Sequence, residues 1–382
     1  MGPNAKIVRQ PISEDSMSST AVGIIGCGNI SSIYLQNCHQ RFRGIHIAAV
    51  ADIDVARAQA RAAEFGVAKG CSVDELLADP NIKIVINLTV PAAHGEVALK
   101  AIAAGKSVYN EKPLAVTRAE AQQMLSMAEA KGVRVGGAPD TFLGAGLQTS
   151  RKLIDDGWIG KPIGATAFML GRGPEGWHPN PYFFYQPGAG PMFDMGPYYL
   201  TALTTLLGPV NRVSGSAQVS FAERTITNNL NYGDKIPVNT PTHVVGVLDF
   251  AAGAVASIIT SFDVWHSTLP WLEIYGSEGT MLVPDPNNFS GSIKIRRGGD
   301  SEWREMPLSH SFAENSRGLG VLDMAIAIQE NRPHRASGQL AYHVLDIMHA
   351  IHDASREGRH MQLTSGIERP APLPMGMDNK GF

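Results

Sequence analysis

Three side chains carry the chemistry that the sequence suggests most directly: Lys112, Asp194 and Tyr198. Lys112 follows a short strand-like run, Ser107–Asn110, and precedes Pro113. A lysine at a buried strand end can hydrogen-bond a hydroxyl that loses its proton, and its ammonium group stabilises the alkoxide that develops. Partial burial is expected to lower the pKa of such a lysine. The plainer alternative is a surface lysine before a proline turn.

Asp194 and Tyr198 are four residues apart, so they share one face of the helix predicted over Met195–Leu207. Gly196 between them permits a close approach of another backbone. Asp194 could instead be only an N-cap. A tyrosine has an ordinary pKa of about 10 and needs a neighbouring cation, such as Lys112, to act as a base near neutral pH.

A glycine turn lies between a strand and a helix near the start of the chain. Val22–Ile25 is an apolar run, Gly26 and Gly28 form the turn, and the helix starts at Asn29 and Ile30. Such a turn brings backbone N–H groups to a pyrophosphate, and the helix N-terminus adds partial positive charge. The sequence therefore predicts a dinucleotide site here, with a serine at the third position of the G-x-G-x-x-G pattern.

Asp52 follows the next apolar run, Ile45–Ala51. A carboxylate at this strand end can accept hydrogen bonds from ribose hydroxyls and repels a 2′-phosphate, so NAD is favoured over NADP. Two alternatives remain open. Asp52 could cap the helix predicted over Val55–Phe65, and Arg57 could reach a 2′-phosphate from that helix.

The N-terminal third alternates between apolar runs and helical segments, which is typical of a parallel sheet covered on both faces. Ligands bind such sheets at the carboxyl ends of the strands. Thr89–His94 follows one of these strands, and Glu111–Pro113 follows the next. These segments supply the remaining predicted cofactor-binding residues, Thr89, Pro91, His94, Glu111 and Lys112.

In this order, the motifs resemble those of the Gfo/Idh/MocA family, which includes glucose–fructose oxidoreductase and inositol dehydrogenases. The resemblance rests on the glycine turn, on Asp52, on Thr89-x-Pro91 and on Glu111-Lys112-Pro113, and it continues through Gly188–Gly196, Leu272–Thr280 and Gly338–Met348. It implies an α/β protein with an N-terminal Rossmann domain, a doubly wound parallel sheet. The implied C-terminal domain is α+β, with a large open, mainly antiparallel sheet whose outer face is buried by a partner subunit.

The resemblance also implies roles for the reacting residues. Lys112 matches the family's catalytic lysine, and Asp194 matches its substrate-binding aspartate. Many members carry histidine where this chain has Tyr198, and aspartate where it has Thr201. The proton acceptor is therefore Tyr198, Lys112 or His178, and the sequence does not choose between them.

The loop Gly171–Gly190 combines aromatic, amide and imidazole groups, which suit the C–H faces and the hydroxyls of a sugar. Trp177 and His178 are predicted substrate contacts, whereas the nearby Phe183 and Phe184 are expected to pack the domain or a subunit interface. By resemblance, Asp140 takes roughly the place of a polar residue near the family's substrate pocket.

We therefore expect a NAD-dependent dehydrogenase that oxidises a secondary hydroxyl of a sugar, a sugar derivative or a cyclitol. One alternative is a glycosidase of the same fold that keeps NAD bound and labilises a glycosidic bond by transient oxidation. Another is a non-catalytic NAD-binding regulator.

Composition excludes several other classes. The 382 residues carry a net charge of −3 and three cysteines, without a basic patch for nucleic acid. The apolar runs are far shorter than a membrane span, and the polar start lacks the apolar core of a signal peptide, so we expect a cytoplasmic protein with reduced thiols. Neither metal-ligand spacing nor a nucleophile elbow is found, so no metal site is predicted.

The predicted organisation is a flexible tail over 1–20, a NAD-binding domain over 21–141, an α+β domain over 142–370 with a late helix against the first domain, and a tail over 371–382. The stretch after Leu363 is expected to be loosely held, because prolines and glycines follow in close order. Val245, Val247, Ile258 and Ile274 are predicted on the outward face of the second sheet. Because such an apolar patch is too large to leave exposed, we expect a homodimer or homotetramer.

Overall fold

The computed structural model describes residues 19–378, so the predicted N-terminal tail falls almost entirely outside the described residues. The first sheet consists of β1 (Thr20–Ile25), β2 (Ile45–Ala51), β3 (Gly70–Cys71), β4 (Ile84–Asn87), β5 (Ser107–Asn110) and β6 (Val135–Gly137). Its helices are α1 (Ser31–Leu35, continued by the π-helical segment Gln36–Arg41), α2 (Val55–Phe65), α3 (Val73–Ala78), α4 (His94–Ala103) and α5 (Arg118–Lys131). All pairs are parallel, in the order β3–β2–β1–β4–β5–β6.

Local sequence explains these elements. Strands β4 and β5 are buried along their whole length, as strands covered on both faces must be. Helices α3 and α5 begin at capping boxes, Ser72 with Glu75 and Thr117 with Glu120. Gly132 ends α5 in the left-handed conformation. The predicted Rossmann sheet is confirmed.

The second sheet contains β7 (Pro162–Leu170), β8 (Val210–Gln218), β11 (His243–Phe250), β12 (Val255–Ser261), β13 (Leu272–Gly276), β14 (Gly279–Val283), β15 (Ile293–Arg297), β16 (Arg304–Met306) and β17 (Met361–Gln362). The order is β16–β15–β14–β13–β7–β12–β11–β8–β17, and β7 with β12 is its one parallel pair among the described residues. A two-stranded sheet is formed by β9 (Glu223–Thr225) and β10 (Lys235–Pro237). The prediction of a large, mainly antiparallel sheet is therefore confirmed.

Five helices accompany this sheet: α6 (Ala145–Asp155), α7 (Gly190–Asp194), α8 (Gly196–Leu207), α9 (Leu319–Gln329) and α10 (Gly338–Glu357). Helix α10 packs on β8 and α8 and also on α5 and β6, so it joins the two domains. None of the helices within residues 19–378 is long and apolar enough to cross a membrane.

The prediction of a loosely held C-terminal tail is wrong for residues 371–378. Leu373 and Met377 are buried in the core. The backbone N–H of Leu373 donates to Gln148 Oε1 at 2.7 Å, and its carbonyl accepts from His310 Nε2 at 3.1 Å. The segment near Leu373 is therefore held against α6 and His310.

The outward face of the second sheet carries only part of the predicted apolar set. Val247 is 40% exposed, whereas Ile258 and Ile274 are fully buried. The prediction for these two isoleucines is wrong because of strand register. Ile258 pairs with Gly246, which faces α10, while the neighbouring Val245 and Val247 point to the opposite face.

Candidate active site

The glycine turn follows β1 and touches the end of β4. Gly26 has φ +102°, and a Cβ built on it would lie 2.7 Å from the carbonyl group of Leu88. The fold itself therefore requires a glycine there. Gly28 differs, because a Cβ there meets no atom within 4 Å and the backbone is not in the left-handed region. The fold leaves space at Gly28 that a ligand approaching the backbone can fill.

Asp52 lies buried beneath this turn with partners on both oxygens. Oδ2 accepts from the backbone N–H of Cys27 at 2.8 Å, and Oδ1 accepts from that of Asp54 at 3.0 Å. Arg57, whose side chain is 55% exposed, lies 3.5 Å from Oδ1. Asp54 and not Asp52 caps α2. Asp52 therefore holds the turn against the end of β2, with Arg57 beside it.

A cleft of about 270 Å³ opens at the carboxyl ends of the parallel strands, between the two domains. From the first domain, the predicted residues Ile30, Thr89, Pro91, His94, Glu111 and Lys112 line it. From the second domain, Asp194 and Tyr198 line it. Asn29 and Gly28 are exposed beside Ile30. The structure thus brings most of the predicted site residues to one cleft.

His94 bridges two loops of this cleft. Its Nδ1 lies 2.7 Å from the carbonyl oxygen of Pro113, and its Nε2 lies 3.0 Å from that of Thr89. The ring is buried, and burial lowers the pKa of His94. A neutral imidazole has one N–H, so His94 donates to one of the two carbonyl oxygens and packs between the Thr89 loop and the Pro113 turn at the edge of the cleft.

Lys112 and Asp194 meet across the cleft. Lys112 Nζ donates to Asp194 Oδ1 at 2.7 Å and to the Asp194 carbonyl at 2.8 Å. The two side chains are only 18% and 23% exposed. Asp194 ends α7 and does not cap α8, whose N-cap is Met195. The carboxylate is therefore available for the lysine and for a ligand in the cleft.

Glu111 positions the turn of Lys112 through both of its carboxylate oxygens. Its Oε1 accepts from the Tyr34 hydroxyl at 2.9 Å, and its Oε2 accepts from the backbone N–H of Lys112 at 2.8 Å. Both oxygens therefore fix the turn that presents Lys112. The sequence did not single out Tyr34, although its place in the helix after the glycine turn directs it toward this sheet edge.

The pKa of Lys112 is raised, so the prediction that it would be lowered is wrong. Burial alone lowers the pKa of Lys112 and is the largest single effect, but the negative charges of Asp194 and Glu111 and the hydrogen bond to Asp194 together act more strongly in the opposite direction. The prediction considered burial and left out the carboxylate across the cleft. Lys112 is therefore an ammonium group at neutral pH.

Tyr198 is buried, and Lys112 Nζ lies 5.4 Å from the centre of its ring. Burial raises the pKa of Tyr198, whereas the charges of Lys112 and Arg317 lower it, and the effect of burial is the larger. The phenol therefore keeps its proton at neutral pH. Arg317 comes from the segment before α9, and no motif in the sequence marks it.

Trp177 and His178 pack behind the phenylalanines that line the cleft. The His178 ring packs edge-on against Phe183 and Phe184, with centroids 5.4 and 5.0 Å apart, and Trp177 packs against His178. Phe183 and Phe184, which were expected only to pack, line the cleft together with Phe193. Burial lowers the pKa of His178. The aromatic surface of the cleft is therefore phenylalanine, with Trp177 and His178 supporting it.

Asp140 is not in the cleft. It is 1% exposed, and its Oδ2 accepts from the backbone N–H groups of Gly318 and Gly320 at 2.8 and 2.9 Å. The predicted substrate contact therefore needs correction, because this carboxylate binds the start of α9. Sequence could not reveal a partner about 180 residues away in a loop without a motif.

Most of the chain matches known protein families. Residues 20–137 match the model described as "Oxidoreductase family, NAD-binding Rossmann fold", and residues 147–282 match the "GFO/IDH/MocA C-terminal domain". The chain belongs to the Gfo/Idh/MocA oxidoreductase family. The resemblance predicted from the motifs is thereby confirmed, and the N-terminal domain is the family's NAD-binding Rossmann domain.

Several Gfo/Idh/MocA relatives are similar over part of the chain. A 1,5-anhydro-D-fructose reductase from Ensifer adhaerens is 27% identical over 68% of this chain and 74% of its own length. An inositol 2-dehydrogenase from Ralstonia nicotianae is 33% identical over 37% of this chain and 43% of its own length. An oxidoreductase from Schizosaccharomyces pombe is 28% identical, and the match spans 53% of its length.

Solved structures share the fold over nearly the whole chain. A levoglucosan dehydrogenase in complex with NADH and L-sorbose has a TM-score of 0.78 at 21% identity, with 91% of this chain and 99% of that chain covered. An aldose–aldose oxidoreductase from Caulobacter crescentus has a TM-score of 0.74 at 20% identity, with 91% and 100% covered. At this identity the likeness establishes the architecture alone.

The residues present in this family member fit NAD. Gly28 leaves its backbone open at the end of β1, and Asp52 lies under the turn where the family's fold places an adenosine ribose. Ile30, Thr89 and Pro91 line the same cleft as Lys112. Within residues 19–378 no group of three or more His, Cys, Asp or Glu could hold a metal ion.

The two glycines of the turn provide a matched pair of variants. In Gly28→Ala the new methyl meets no protein atom, so the melting temperature should stay unchanged while the NADH dissociation constant rises at least about tenfold, about 1.4 kcal/mol. In Gly26→Ala the positive φ and the contact with Leu88 should lower the melting temperature itself. Thermal denaturation and titration of NADH fluorescence measure the two effects. Wild-type NADH affinity in Gly28→Ala would contradict this assignment.

Asp140 should contribute to stability in a pH-dependent way. Burial raises the pKa of Asp140 from 3.8 to about 6. Between these pH values the folded protein holds a proton that the unfolded chain releases, so this group's contribution to the free energy of unfolding falls as pH rises. Asp140→Asn keeps an acceptor for both N–H groups and should remove this dependence. Asp140→Ala leaves the two backbone N–H groups without an acceptor and should lower the free energy of unfolding by about 2 kcal/mol. Urea denaturation of wild type, Asp140→Asn and Asp140→Ala at several pH values measures the free energy of unfolding. The same pH dependence in wild type and Asp140→Asn would contradict the role given to Asp140.

Proposed function

We propose that this Gfo/Idh/MocA protein is a NAD-dependent dehydrogenase that oxidises a secondary hydroxyl of a sugar, a sugar derivative or a cyclitol. The observation that carries the proposal is the Lys112–Asp194 pair, which faces the cleft at the ends of the NAD-binding strands. The names of the relatives support the substrate class, since inositol 2-dehydrogenase and 1,5-anhydro-D-fructose reductase act on a cyclitol and a sugar derivative.

The pair can move the proton of the hydroxyl group. When bound, the nicotinamide of NAD supplies the acceptor for the hydride that leaves the carbinol carbon. Lys112 binds the oxygen of that carbon, and its ammonium group stabilises the negative charge that develops there. Lys112 takes the hydroxyl proton while it passes one of its own to Asp194 Oδ1, 2.7 Å away. Because the lysine starts and ends this exchange charged, its raised pKa is compatible with the relay.

Of the three candidate proton acceptors, Lys112 is the one that the geometry favours. Burial keeps the Tyr198 phenol protonated at neutral pH, so Tyr198 is a hydrogen-bond donor and not a base. His178 packs against Phe183 and Phe184, which line the cleft, and burial lowers its pKa although the charge of Asp194 acts in the opposite direction. Lys112 alone combines direct exposure to the cleft with a carboxylate that can accept the relayed proton.

The walls of the cleft also support a cyclic polyol. Phe183, Phe184 and Phe193 offer flat apolar surfaces from the second domain, while Lys112 and Asp194 offer polar groups. A sugar ring presents C–H faces to aromatic rings and hydroxyls to charged groups. The ring is therefore expected to lie on the phenylalanines with one hydroxyl directed at Lys112.

The protein is further proposed to be a homo-oligomer. The outward face of the second sheet carries Val247, with 40% of its surface exposed, flanked by the partly buried Val245 and Ile259. A strip of this kind across β11 and β12 of the nine-stranded sheet suits burial against a second copy.

The test of the function is a screen of sugars and inositols with NAD, followed by the absorbance of reduced nicotinamide. We expect net accumulation of reduced nicotinamide with at least one substrate. Lys112→Ala should then keep less than about a tenth of the wild-type kcat, because a tenfold loss is what one removed hydrogen bond explains and this change also removes the charge. Tyr198→Phe should cost only about tenfold, the loss of one hydrogen bond.

Lys100→Ala is the matched control, since Lys100 forms an exposed pair with Glu96 at 2.7 Å in the same domain and should leave kcat unchanged. Cleavage of a glycosidic bond without net reduction would identify a redox glycosidase, and no response to any substrate would favour a regulator. A kcat above a tenth of wild type in Lys112→Ala would refute the relay.

Cofactor choice follows from Asp52. Its carboxylate is held beneath the turn, where it would face the extra phosphate of NADP, so kcat/KM should be higher with NAD. Arg57→Ala removes the cation that pairs with that carboxylate and should reduce any residual use of NADP without weakening the use of NAD. Steady-state kinetics with both cofactors measures this preference. A higher kcat/KM with NADP would mean that Arg57, and not Asp52, governs the choice.

A further inference from the structure

The phenylalanine wall of the cleft, Phe183 and Phe184, stands on a small apolar cluster of its own, apart from the main core. Phe184 is 6% exposed and belongs to this cluster. The other members are Tyr185, Ile226, Ile236, Val238 and Phe262. Three of them come from the hairpin β9–β10 or lie directly beside it. This hairpin therefore supplies much of the apolar surface behind the wall.

The base of the hairpin is held by a buried arginine. Arg224 of β9 donates through Nη1 to Asp263 Oδ1 at 2.6 Å and through Nη2 to the carbonyl oxygen of Phe262 at 3.1 Å. Its Nε donates to Glu175 of the loop Gly171–Gly190. Breaking a buried pair of this kind would leave an uncompensated charge, so the arrangement resists displacement. The hairpin is thereby fixed both to the end of β12 and to the loop that carries the wall.

A buried amide farther along the hairpin reaches the same loop. Asn228 is 8% exposed, and its Oδ1 accepts from the backbone N–H groups of Leu230 and Asn231 at 2.9 and 3.2 Å. Its Nδ2 donates to the carbonyl oxygen of His178 at 2.7 Å. Because one end of the amide faces two donors and the other faces an acceptor, its orientation is fixed. Asn228 therefore holds the backbone of His178 in place.

The His178 ring connects this amide to the wall. Its Nδ1 accepts from the backbone N–H of Asn180 at 3.0 Å, which sets the orientation of the ring. The ring packs edge-on against Phe183 and Phe184, and these two stack with centroids 4.0 Å apart. Phe183 is 43% exposed, so it offers an apolar face that a sugar ring can cover. The position of that face depends on a hydrogen bond made by the hairpin.

We propose that Asn228 is a positioning residue for substrate binding, which acts through His178 on the phenylalanine wall. The inference rests on the proposed dehydrogenase function, because it names what sets the apolar contact of the sugar in that cleft. Lys112 and Asp194 lie on other elements and bond to each other. The hairpin therefore governs how tightly the sugar ring binds and leaves the proton relay unchanged.

The first test needs no substrate. Asn228→Asp keeps an oxygen for Leu230 and Asn231 but replaces the donor to His178 by a second acceptor. Asn228→Ser also loses that donor, without a new charge, and its hydroxyl can still accept from a backbone N–H two residues on. Hydrogen exchange followed by mass spectrometry should be about fivefold faster over residues 177–186 in both variants, while peptides around Lys112 keep wild-type rates.

Asn211→Asp and Asn211→Ser are the matched controls, because they make the same changes at an exposed residue of β8. Neither should alter exchange over residues 177–186. Wild-type exchange of this segment in both Asn228 variants would overturn the proposal.

The second test separates KM from kcat for a substrate found in the screen. Both Asn228 variants should raise the KM of the sugar about five- to tenfold, the effect of one lost hydrogen bond, with kcat and the NADH dissociation constant unchanged. In the Phe183→Ala background the same changes should raise KM less, because one ring through which Asn228 acts is absent.

An unchanged KM, or a fall in kcat as large as the rise in KM, would show a merely structural asparagine and refute the proposal. Failure to find any sugar substrate would instead contradict the dehydrogenase function, and the exchange measurement would still decide whether Asn228 positions the wall.

Discussion

The ion pair between Lys112 and Asp194 is the contact on which the rest of the site depends. It joins the end of β5 in the NAD-binding domain to the end of α7 in the second domain. Both side chains are mostly withdrawn from water, so removal of either would leave the other charge poorly compensated. The carboxylate also keeps Lys112 charged although burial acts in the opposite direction. The charged lysine of the cleft is therefore a property of the assembled pair and not of one strand end.

The approach of the two domains that makes this pair is maintained by segments distant in sequence. Helix α10 packs on elements of both domains, and Asp140 binds the start of α9. The C-terminal segment near Leu373 returns to Gln148 of α6. The contacts of α10 and of Asp140 bring later parts of the chain back toward the first sheet, and the Leu373 contact holds the C-terminal segment on the second domain, so the cleft is bounded by both domains.

The sequence predicted the parts of the site that lie at the ends of regular strands. Gly26, Asp52 and Lys112 follow apolar runs whose alternation with helices defines a parallel sheet, and ligands bind at one edge of such a sheet. Residues that depend on contacts between distant segments could not be found in this way. Asp140 follows β6 as expected, yet its partners come from a loop before α9, and Arg317 lies in that same loop without any local pattern. The direction of the Lys112 pKa was mispredicted for the same reason, since the carboxylate that sets it belongs to another domain.

A crystal structure of the protein with NAD and a sugar or cyclitol from the substrate screen tests the central claim most directly. The account predicts that one hydroxyl oxygen of the ring lies about 2.7–3.2 Å from Lys112 Nζ, while Lys112 keeps its contact with Asp194. The carbon that bears this hydroxyl should face the nicotinamide. A ring bound with no oxygen in contact with Lys112, or with Asp194 turned away from the lysine, would contradict the claim that this pair is the reacting centre.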